Sequence, residues 1–276
     1  MCGFYGAWGL HAAVIDNKAG AIYDLAGDGD ILLGTVDTMD GPVHSSPGSS
    51  VILNQGTFRK SVGSGESVIE PSFNNAGRVE VQSGTVAFTG GFTQTAGSIR
   101  LDGGSVASTS PLSIAGRSIE GRGDILAHIL NQGGTVSPGF SPGALTIDGD
   151  YTQGHDATLL IEMAGLQPGQ FDVLNVTGTA ALDGLLKVSF LDGFRPRSGD
   201  MFTVLTYGSH FAEFDSIFVM GLPSFEFIAD YGISALTLRA EGVEAVPLPP
   251  SVWLAAMGLL GSLCWMYKYE HDGAAS

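Results

Sequence analysis

The sequence is poor in cysteine, in basic residues and in charge of either sign. Its 276 residues include only two cysteines, Cys2 and Cys264, at opposite ends of the chain. Neither a disulfide framework nor a cysteine-rich zinc site can be built from them. Only 14% of the residues are charged, and 12 Lys and Arg stand against 28 Asp and Glu, for a net charge of −16. Phosphate binding requires clustered basic side chains, so we predict no nucleic-acid partner. An acidic surface suits a soluble extracellular or cell-surface protein.

The sequence also lacks the patterns of a catalytic, cofactor-binding or metal site. The six histidines are scattered, and no two of them have metal-binding spacing. Residues 139–143 match the Gly-x-Ser-x-Gly pattern of hydrolases, whose oxyanion hole uses the backbone N–H of the residue after the serine. That residue is Pro142 here, and proline has no N–H. We therefore predict that Ser141 is a turn residue, and we expect no cofactor and no enzymatic activity.

The first residues do not have the pattern of a secretion signal. Residues 1–8 contain neither a basic segment nor a sustained apolar segment, and a signal peptide requires both. Residues 19–31 already have the composition of a repeating β-structure. We expect that the natural protein has an upstream signal peptide and further repeats, and that this sequence is truncated.

The most informative stretch of the chain is a short internal repeat. Residues 77–86 align with residues 97–106, and the apolar positions coincide: Val79 with Ile99, Val81 with Leu101 and Val86 with Val106. Alternation with period two indicates half-buried strands. A unit this short cannot bury its own apolar face, so the repeat predicts a solenoid in which each coil stacks on the next.

The polar positions between these apolar residues predict a ladder of charge. In the same register Arg59, Glu80, Arg100 and Glu120 follow one another with alternating sign. Neighbouring coils are about 4.8 Å apart, and each exposed pair contributes roughly 0.2–1 kcal/mol. Such pairs would favour the correct register over a slipped one. The alternative is a solvated face on which the order of signs is a matter of chance.

Three segments resemble the repeats of autotransporter passenger β-helices. They are residues 54–61, 73–85 and 134–146. The resemblance implies an all-β fold, a right-handed single-stranded parallel β-helix on a bacterial surface, with coils of about 20 residues. We assign residues 1–150 to coils and the short strands of residues 151–243 to a C-terminal β cap. Asn54 and Asn131 are predicted at turns, where asparagine tolerates left-handed backbone geometry.

The tail combines a proline-rich motif with the longest apolar run of the chain. The motif residues are Val246, Pro247, Leu248, Pro249 and Pro250. The run of residues 252–267 would span about 24 Å as a helix, slightly less than a hydrocarbon core of about 30 Å. Aromatic and basic residues stand near its ends, as is typical at membrane interfaces: Trp253, Trp265, Tyr267 and Lys268. The sequence predicts a transmembrane helix here. The alternative is a buried core helix.

Residues 244–276 resemble the PEP-CTERM sorting signal in its Val-Pro-Leu-Pro form. The resemblance implies a Gram-negative bacterium, passage through the inner membrane and processing by an exosortase. It also implies a link to exopolysaccharide or biofilm matrix. The usual arginine cluster is replaced by Lys268, and eight residues follow that lysine.

Two classes of function fit this sequence. The first is a non-catalytic surface or matrix protein, adhesin-like or associated with exopolysaccharide. The second is a β-helix polysaccharide lyase or hydrolase, which would require acidic side chains that converge in one groove. An ice-binding solenoid would need a threonine ladder, and the repeats lack one, since Thr85 faces Ser105 and the column ends there. The alternating charges favour the first class.

Overall fold

A computed structural model describes residues 13–33, 35–38, 41–44, 50–221 and 225–242 of the chain. These residues form an all-β structure with long parallel sheets, a β-helix-like solenoid. The chain separates into two compact units, residues 1–241 and 242–276, and the strands lie in the first except for Gly242. In the described ranges there is no helix long and apolar enough to cross a membrane.

The strands are short, and their bounds follow in chain order. They are β1 (Val14–Asn17), β2 (Ile22–Ala26), β3 (Thr35–Thr38), β4 (Gly41–His44), β5 (Val51–Asn54), β6 (Thr57–Val62), β7 (Glu66–Ile69), β8 (Ser72–Asn75), β9 (Arg78–Val81), β10 (Thr85–Phe88), β11 (Phe92–Gln94), β12 (Ser98–Ser108), β13 (Leu112–Ile114), β14 (Ser118–Leu126), β15 (Ile129–Asn131), β16 (Thr135–Pro138), β17 (Ala144–Ile147), β18 (Tyr151–Gln153), β19 (Thr158–Met163), β20 (Val173–Val176), β21 (Thr179–Ala181), β22 (Leu185–Phe190), β23 (Met201–Thr206), β24 (Ser209–Phe211), β25 (Ser216–Val219), β26 (Phe225–Tyr231) and β27 (Ala235–Gly242).

Two large sheets run through the successive coils. The first has nine strands in the order β1-β5-β8-β11-β13-β15-β18-β21-β24. The second has 16 strands, with the main path β2-β6-β9-β12-β14-β17-β20-β23-β27-β26 and side branches through β7 and β10 and through β16, β19, β22 and β25. A typical coil therefore contributes one strand to the first sheet and two strands, or one long strand, to the second. β3 and β4 form a separate antiparallel hairpin.

The predicted repeat is confirmed by the strand register. Val79 pairs with Ile99 and Val81 with Leu101, while Val86 pairs with Val106 in the neighbouring part of the sheet. All of these side chains are fully buried. Successive residues of a strand point to opposite faces, so the alternate apolar positions of every coil stack into one continuous core.

Aromatic side chains fill the core between the early coils. Ring centroids of successive neighbours lie 4.8 to 5.3 Å apart, a range typical of stable aromatic pairs. The members of this stack are Tyr23, Phe58, Phe73, Phe88 and Phe92. Burial of each phenylalanine contributes roughly 1.5–3 kcal/mol, so the stack is a main source of stability for this part of the solenoid.

The parallel ladders continue past residue 150 without a break. β15 pairs with β18, β18 with β21, and β21 with β24, all in parallel register. Near the end of the described region β27 pairs with β23 in the antiparallel sense. The division at residue 150, the handedness, the cap and the C-terminal helix stay predictions, and residues 243–276 lie outside the described residues.

Asn54 is placed at a coil corner, as predicted, but the predicted reason is wrong. Among the described non-glycine residues, positive φ occurs at Arg117, Ser141, Asp192 and Ala212. Asn54 is instead fully buried and forms part of an amide ladder. Its Nδ2 donates to Asn75 Oδ1 at 2.8 Å, and its Oδ1 accepts from Asn17 Nδ2 at 2.7 Å.

The amide ladder extends through one more coil and also satisfies backbone carbonyls. Asn75 Nδ2 donates to Gln94 Oε1 at 3.2 Å and to the carbonyl oxygen of Ser98 at 3.2 Å. Asn54 Nδ2 likewise donates to the carbonyl oxygen of Arg78 at 2.9 Å. A buried polar group is costly unless it is hydrogen-bonded, so these amides hold each corner to the next. Asn131 is also buried, and its Oδ1 accepts from the backbone N–H of Gly134 at 2.9 Å.

Candidate functional site

The residues of the predicted sorting signal lie outside the described residues. These are the motif residues Val246, Pro247, Leu248, Pro249 and Pro250 and the helix-end residues Trp253, Trp265, Tyr267 and Lys268. Their assignment stays a prediction. The charge ladder, by contrast, lies entirely within the described sheet.

The residues of the charge ladder are neighbours in register. Arg59 is opposite Glu80, Glu80 is opposite Arg100, and Arg100 is opposite Glu120. Among the described residues, however, no nitrogen and carboxylate oxygen of these pairs come within 4.0 Å of each other. The charge ladder is therefore a column of alternating charge without direct ion pairs between its members.

Arg59 forms its ion pair with Asp24, one coil earlier. Arg59 Nη2 lies 2.8 Å from Asp24 Oδ2, and the hydrogen bond from this guanidinium lowers the pKa of the Asp24 carboxyl. Two residues beyond Arg100 on β12, Asp102 Oδ1 lies 3.3 Å from Nη2 of Arg122, its register partner on β14. Asp24 therefore takes part in an ion pair between coils on this face, although the predicted charge ladder did not contain it.

Arg100 contacts an aromatic side chain. Its guanidinium carbon lies 4.5 Å from the centroid of the Phe140 ring, and that of Arg122 lies 5.8 Å from the same centroid. Such cation–π contacts contribute about 0.5–1 kcal/mol at exposed sites. The Phe140 ring therefore contacts two guanidinium groups, Arg100 and Arg122, which belong to adjacent coils.

The loop that carries Phe140 connects β16 with β17 and is attached at both ends. The backbone N–H of Gly139 donates to the carbonyl oxygen of Gly121 at 2.6 Å, and the backbone N–H of Gly143 donates to Asp172 Oδ1 at 2.7 Å. Gly139 has φ of 84° and Ser141 has φ of 52°, the left-handed region in which glycine is favoured. These contacts set the position of Phe140 over the sheet.

Beneath the loop lies a cleft of about 240 Å³ that contains two carboxylates. Ser141 Oγ donates a hydrogen bond to Glu162 Oε2, so the serine hydroxyl is bound to a carboxylate rather than to a histidine. The residues that line the cleft are Arg100, Glu120, Ser137, Gly139, Phe140, Ser141 and Glu162. We call it the Phe140 cleft.

A buried carboxyl group, that of Asp172, binds the backbone of the loop and of the strand that line the cleft. Asp172 is fully buried, and it accepts from the backbone N–H groups of Gly143 and Glu162 at 2.7 and 2.9 Å. Burial raises the pKa of Asp172 to about 7, although the two backbone hydrogen bonds act in the opposite direction. The Asp172 carboxyl therefore changes its protonation state near neutral pH. Its two oxygens also connect the loop that carries Phe140 with β19.

We expect Asp172 to make the protein less stable as the pH rises from about 4 to about 7. A carboxyl whose pKa is higher in the folded chain than in the unfolded chain binds more protons when folded, so deprotonation favours unfolding. The raised pKa corresponds to a loss of at most about 4 kcal/mol. Urea unfolding of the full chain at several pH values measures this loss.

The Asp172→Asn variant tests this assignment. It removes the titration and leaves one backbone N–H without its acceptor, at a cost of about 1–3 kcal/mol. The parent should therefore be more stable than the variant at pH 4 and lose that advantage by pH 7 or above. Asp192→Asn, at an exposed residue, is the control. A constant difference between parent and Asp172→Asn at all pH values would contradict the assignment.

The Phe140 cleft brings side chains of different chemistry together. It offers an aromatic face, a guanidinium and two carboxylates, which can bind polar groups such as hydroxyls. Sequence reasoning placed Arg100 and Glu120 in the charge ladder but did not predict the cleft, and it missed Phe140 and Glu162. The signal that could have found Phe140 was its position inside the Gly- and Pro-rich segment of residues 139–143, whereas no such signal marks Glu162. No model of a known protein family matches the chain, and no curated protein is similar to it in sequence.

Proposed function

We propose that this chain is a non-catalytic bacterial cell-surface or extracellular-matrix protein, adhesin-like or associated with exopolysaccharide. It is sorted by an exosortase through its C-terminal signal, which anchors it in the inner membrane before release to the surface. In this proposal the solenoid is a right-handed single-stranded β-helix with a C-terminal β cap, and residues 252–267 form the membrane helix.

The observation that carries the proposal is that arginine side chains of the 16-stranded sheet form ion pairs between adjacent coils. Arg59 and Arg122 pair with carboxylates of adjacent coils, where they stabilise stacking. A solenoid that uses its charges in this way is suited to present an extended surface, and the Phe140 cleft is its contact site for a polar polymer. The proline motif and apolar run of the tail support the sorting step.

The experiment is membrane fractionation of the native protein with intact-mass measurement, in host strains with and without the exosortase. We expect the mass to fall by about that of the tail beyond residues 247–249, with release from the inner membrane only when the exosortase is present. An uncut chain that stays in the membrane in both strains would contradict sorting and leave a plain anchor.

A carbohydrate-active enzyme is the second candidate, and the specific observation in its favour is the pair Glu120 and Glu162 in the Phe140 cleft. Glycoside hydrolysis commonly uses two carboxylates.

We expect the full chain to bind host exopolysaccharide without releasing reducing or unsaturated ends. Glu162→Gln should weaken binding about tenfold, as expected for the loss of one hydrogen bond to a charged group, and Glu226→Gln, at an exposed residue outside the cleft, is the control. Release of such ends that disappears in Glu162→Gln would favour the enzyme.

A further inference from the structure

Three side chains from three successive coils meet at one exposed corner of the solenoid. His155 follows β18, Asp183 follows β21 and Asp215 follows β24. Because β18 pairs with β21 and β21 with β24 in parallel, the turns after these strands stack directly on one another. The stacking brings together residues that are far apart in the chain.

The nitrogen and oxygen atoms of these side chains lie close enough together to converge on one metal ion. His155 Nδ1 lies 2.7 Å from Asp215 Oδ2 and 3.9 Å from Asp183 Oδ1, and one ligand atom from each residue lies within 4.8 Å of the others. Ligands of a tetrahedral zinc ion, at about 2.0–2.1 Å from the metal, are about 3.3 Å apart. The observed separations lie on either side of that value, so small side-chain rotations would produce it.

The corner is anionic, and the basic group that its two carboxylates face is a histidine, His155. Asp183 and Asp215 converge on a single imidazole, and Asp156 lies next to His155 in the chain. Within the described ranges, no lysine or arginine forms an ion pair with Asp183 or Asp215. Like charges held close together repel each other, and a divalent cation would remove that repulsion.

The backbone of the corner is held by a buried amide. Gln153 is 2% exposed, and its Nε2 donates to the carbonyl oxygens of Asp183 at 2.8 Å and Leu185 at 3.1 Å. The same atom lies 3.3 Å from the carbonyl oxygen of Ala157. Gln153 thus connects the turn that carries His155 with the turn that carries Asp183. Functional sites require such support, because ligands must be placed accurately before the ion binds.

Gly184 allows the two turns to approach closely. Its φ is 63°, and a Cβ at this position would lie 2.6 to 2.7 Å from the carbonyl oxygens of Gly154, His155 and Ala157. Its backbone N–H also donates to Asp183 Oδ1 at 2.7 Å, which orients that carboxylate. A glycine is required here for the coils to stack as tightly as the ligand set needs.

We propose that His155, Asp183 and Asp215 form a binding site for one divalent transition-metal ion of the zinc type, with water completing its coordination. Imidazole nitrogen with carboxylate oxygen suits zinc, whereas calcium and magnesium prefer oxygen alone. The ion would join three coils at the exposed corner and stabilise their stacking. This site is separate from the Phe140 cleft and independent of the proposed sorting.

The test is calorimetric titration of the untagged full chain in mild detergent with Zn²⁺. We expect one ion per chain to bind at this site, and His155→Ala and Asp215→Asn each to weaken that binding at least about tenfold. The matched control is His128→Ala. His128 also faces a carboxylate, with Nδ1 3.2 Å from Asp150 Oδ2, but that pair is not part of a three-ligand cluster in the described chain.

Each result of this titration supports or overturns the site. Zn²⁺ should also raise the unfolding temperature of the parent by more than that of His155→Ala, since the ion binds only the stacked coils. Both cysteines and the other histidines remain in the variants, so an ion held elsewhere would bind unchanged. Unchanged binding in His155→Ala, an equal loss in His128→Ala, absence of binding, or displacement of Zn²⁺ by equimolar Ca²⁺ would each overturn the proposal.

Discussion

Replacement of Asn54 by aspartate is expected to destabilise the solenoid by about 3–5 kcal/mol at pH 7. The side chain is fully buried, and its Nδ2 donates to Asn75 Oδ1 and to the carbonyl oxygen of Arg78. In Asn54→Asp a carboxylate oxygen would face these two acceptors, with no donor between them, at a site closed to bulk solvent. Urea unfolding of the full chain in detergent measures the loss.

The pH dependence of this variant separates buried charge from simple loss of packing. An unpaired buried carboxylate favours its protonated form, so the deficit of Asn54→Asp should shrink as the pH falls toward about 4. Asn74→Asp is the matched control, because Asn74 lies on β8 beside Asn75 but is exposed, and it should change stability by less than about 0.5 kcal/mol. Equal losses in the two variants would show that the amide ladder is not a buried structural element.

Replacement of Lys60 by alanine is expected to cost about 3 kcal/mol. Lys60 is fully buried in β6, and its ammonium donates to the carbonyl oxygen of Gly27 at 2.7 Å, Asp28 Oδ1 at 2.8 Å and Ser67 Oγ at 3.0 Å. Lys60→Ala would leave a cavity in the core and remove the donor from the buried Ser67 hydroxyl. The hydrogen bond from Lys60 also lowers the pKa of the Asp28 carboxyl.

Two further substitutions identify the origin of this effect. Lys60→Met keeps most of the buried volume and removes the charge, and the carboxylate that it leaves behind, Asp28, is 45% exposed and can be solvated. We therefore expect Lys60→Met to cost only about 1 kcal/mol. Lys18→Ala, at a side chain that is 68% exposed, should have little effect. If Lys60→Met is as harmful as Lys60→Ala, the charge and not the volume is what the core requires.

The coil repeat could be predicted because one simple rule governs it. Val79, Ile99 and Val86 alternate with polar residues, and alternation on a strand assigns each residue to a face. Once the offset that aligns Val79 with Ile99 is established, the register of neighbouring coils follows. The same rule placed Arg59 opposite Glu80, but it could not predict that Arg59 would pair with Asp24, because the chain from β2 to β6 is longer than one repeat.

The candidate site was harder to predict from the sequence than the coil repeat. Phe140 stands over Arg100 only because a loop with two left-handed residues, Gly139 and Ser141, folds back onto the sheet. Position in the alternating pattern contains no information about such a loop. The backbone contacts with Gly121 and Asp172 that fix the loop come from other coils, so they become visible only in the assembled solenoid.

The sequence by itself determined that the described part of the chain is all-β, that it is built from short repeating coils and which apolar residues face the core. These properties depend on local alternation and spacing. Only the tertiary structure decided that Asn54 and Lys60 are buried with hydrogen-bond partners, and that His155 meets Asp183 and Asp215. The physical reason is that polar partners in a solenoid come from different coils, and the turns between coils vary in length, so no fixed spacing in the sequence predicts which side chains meet.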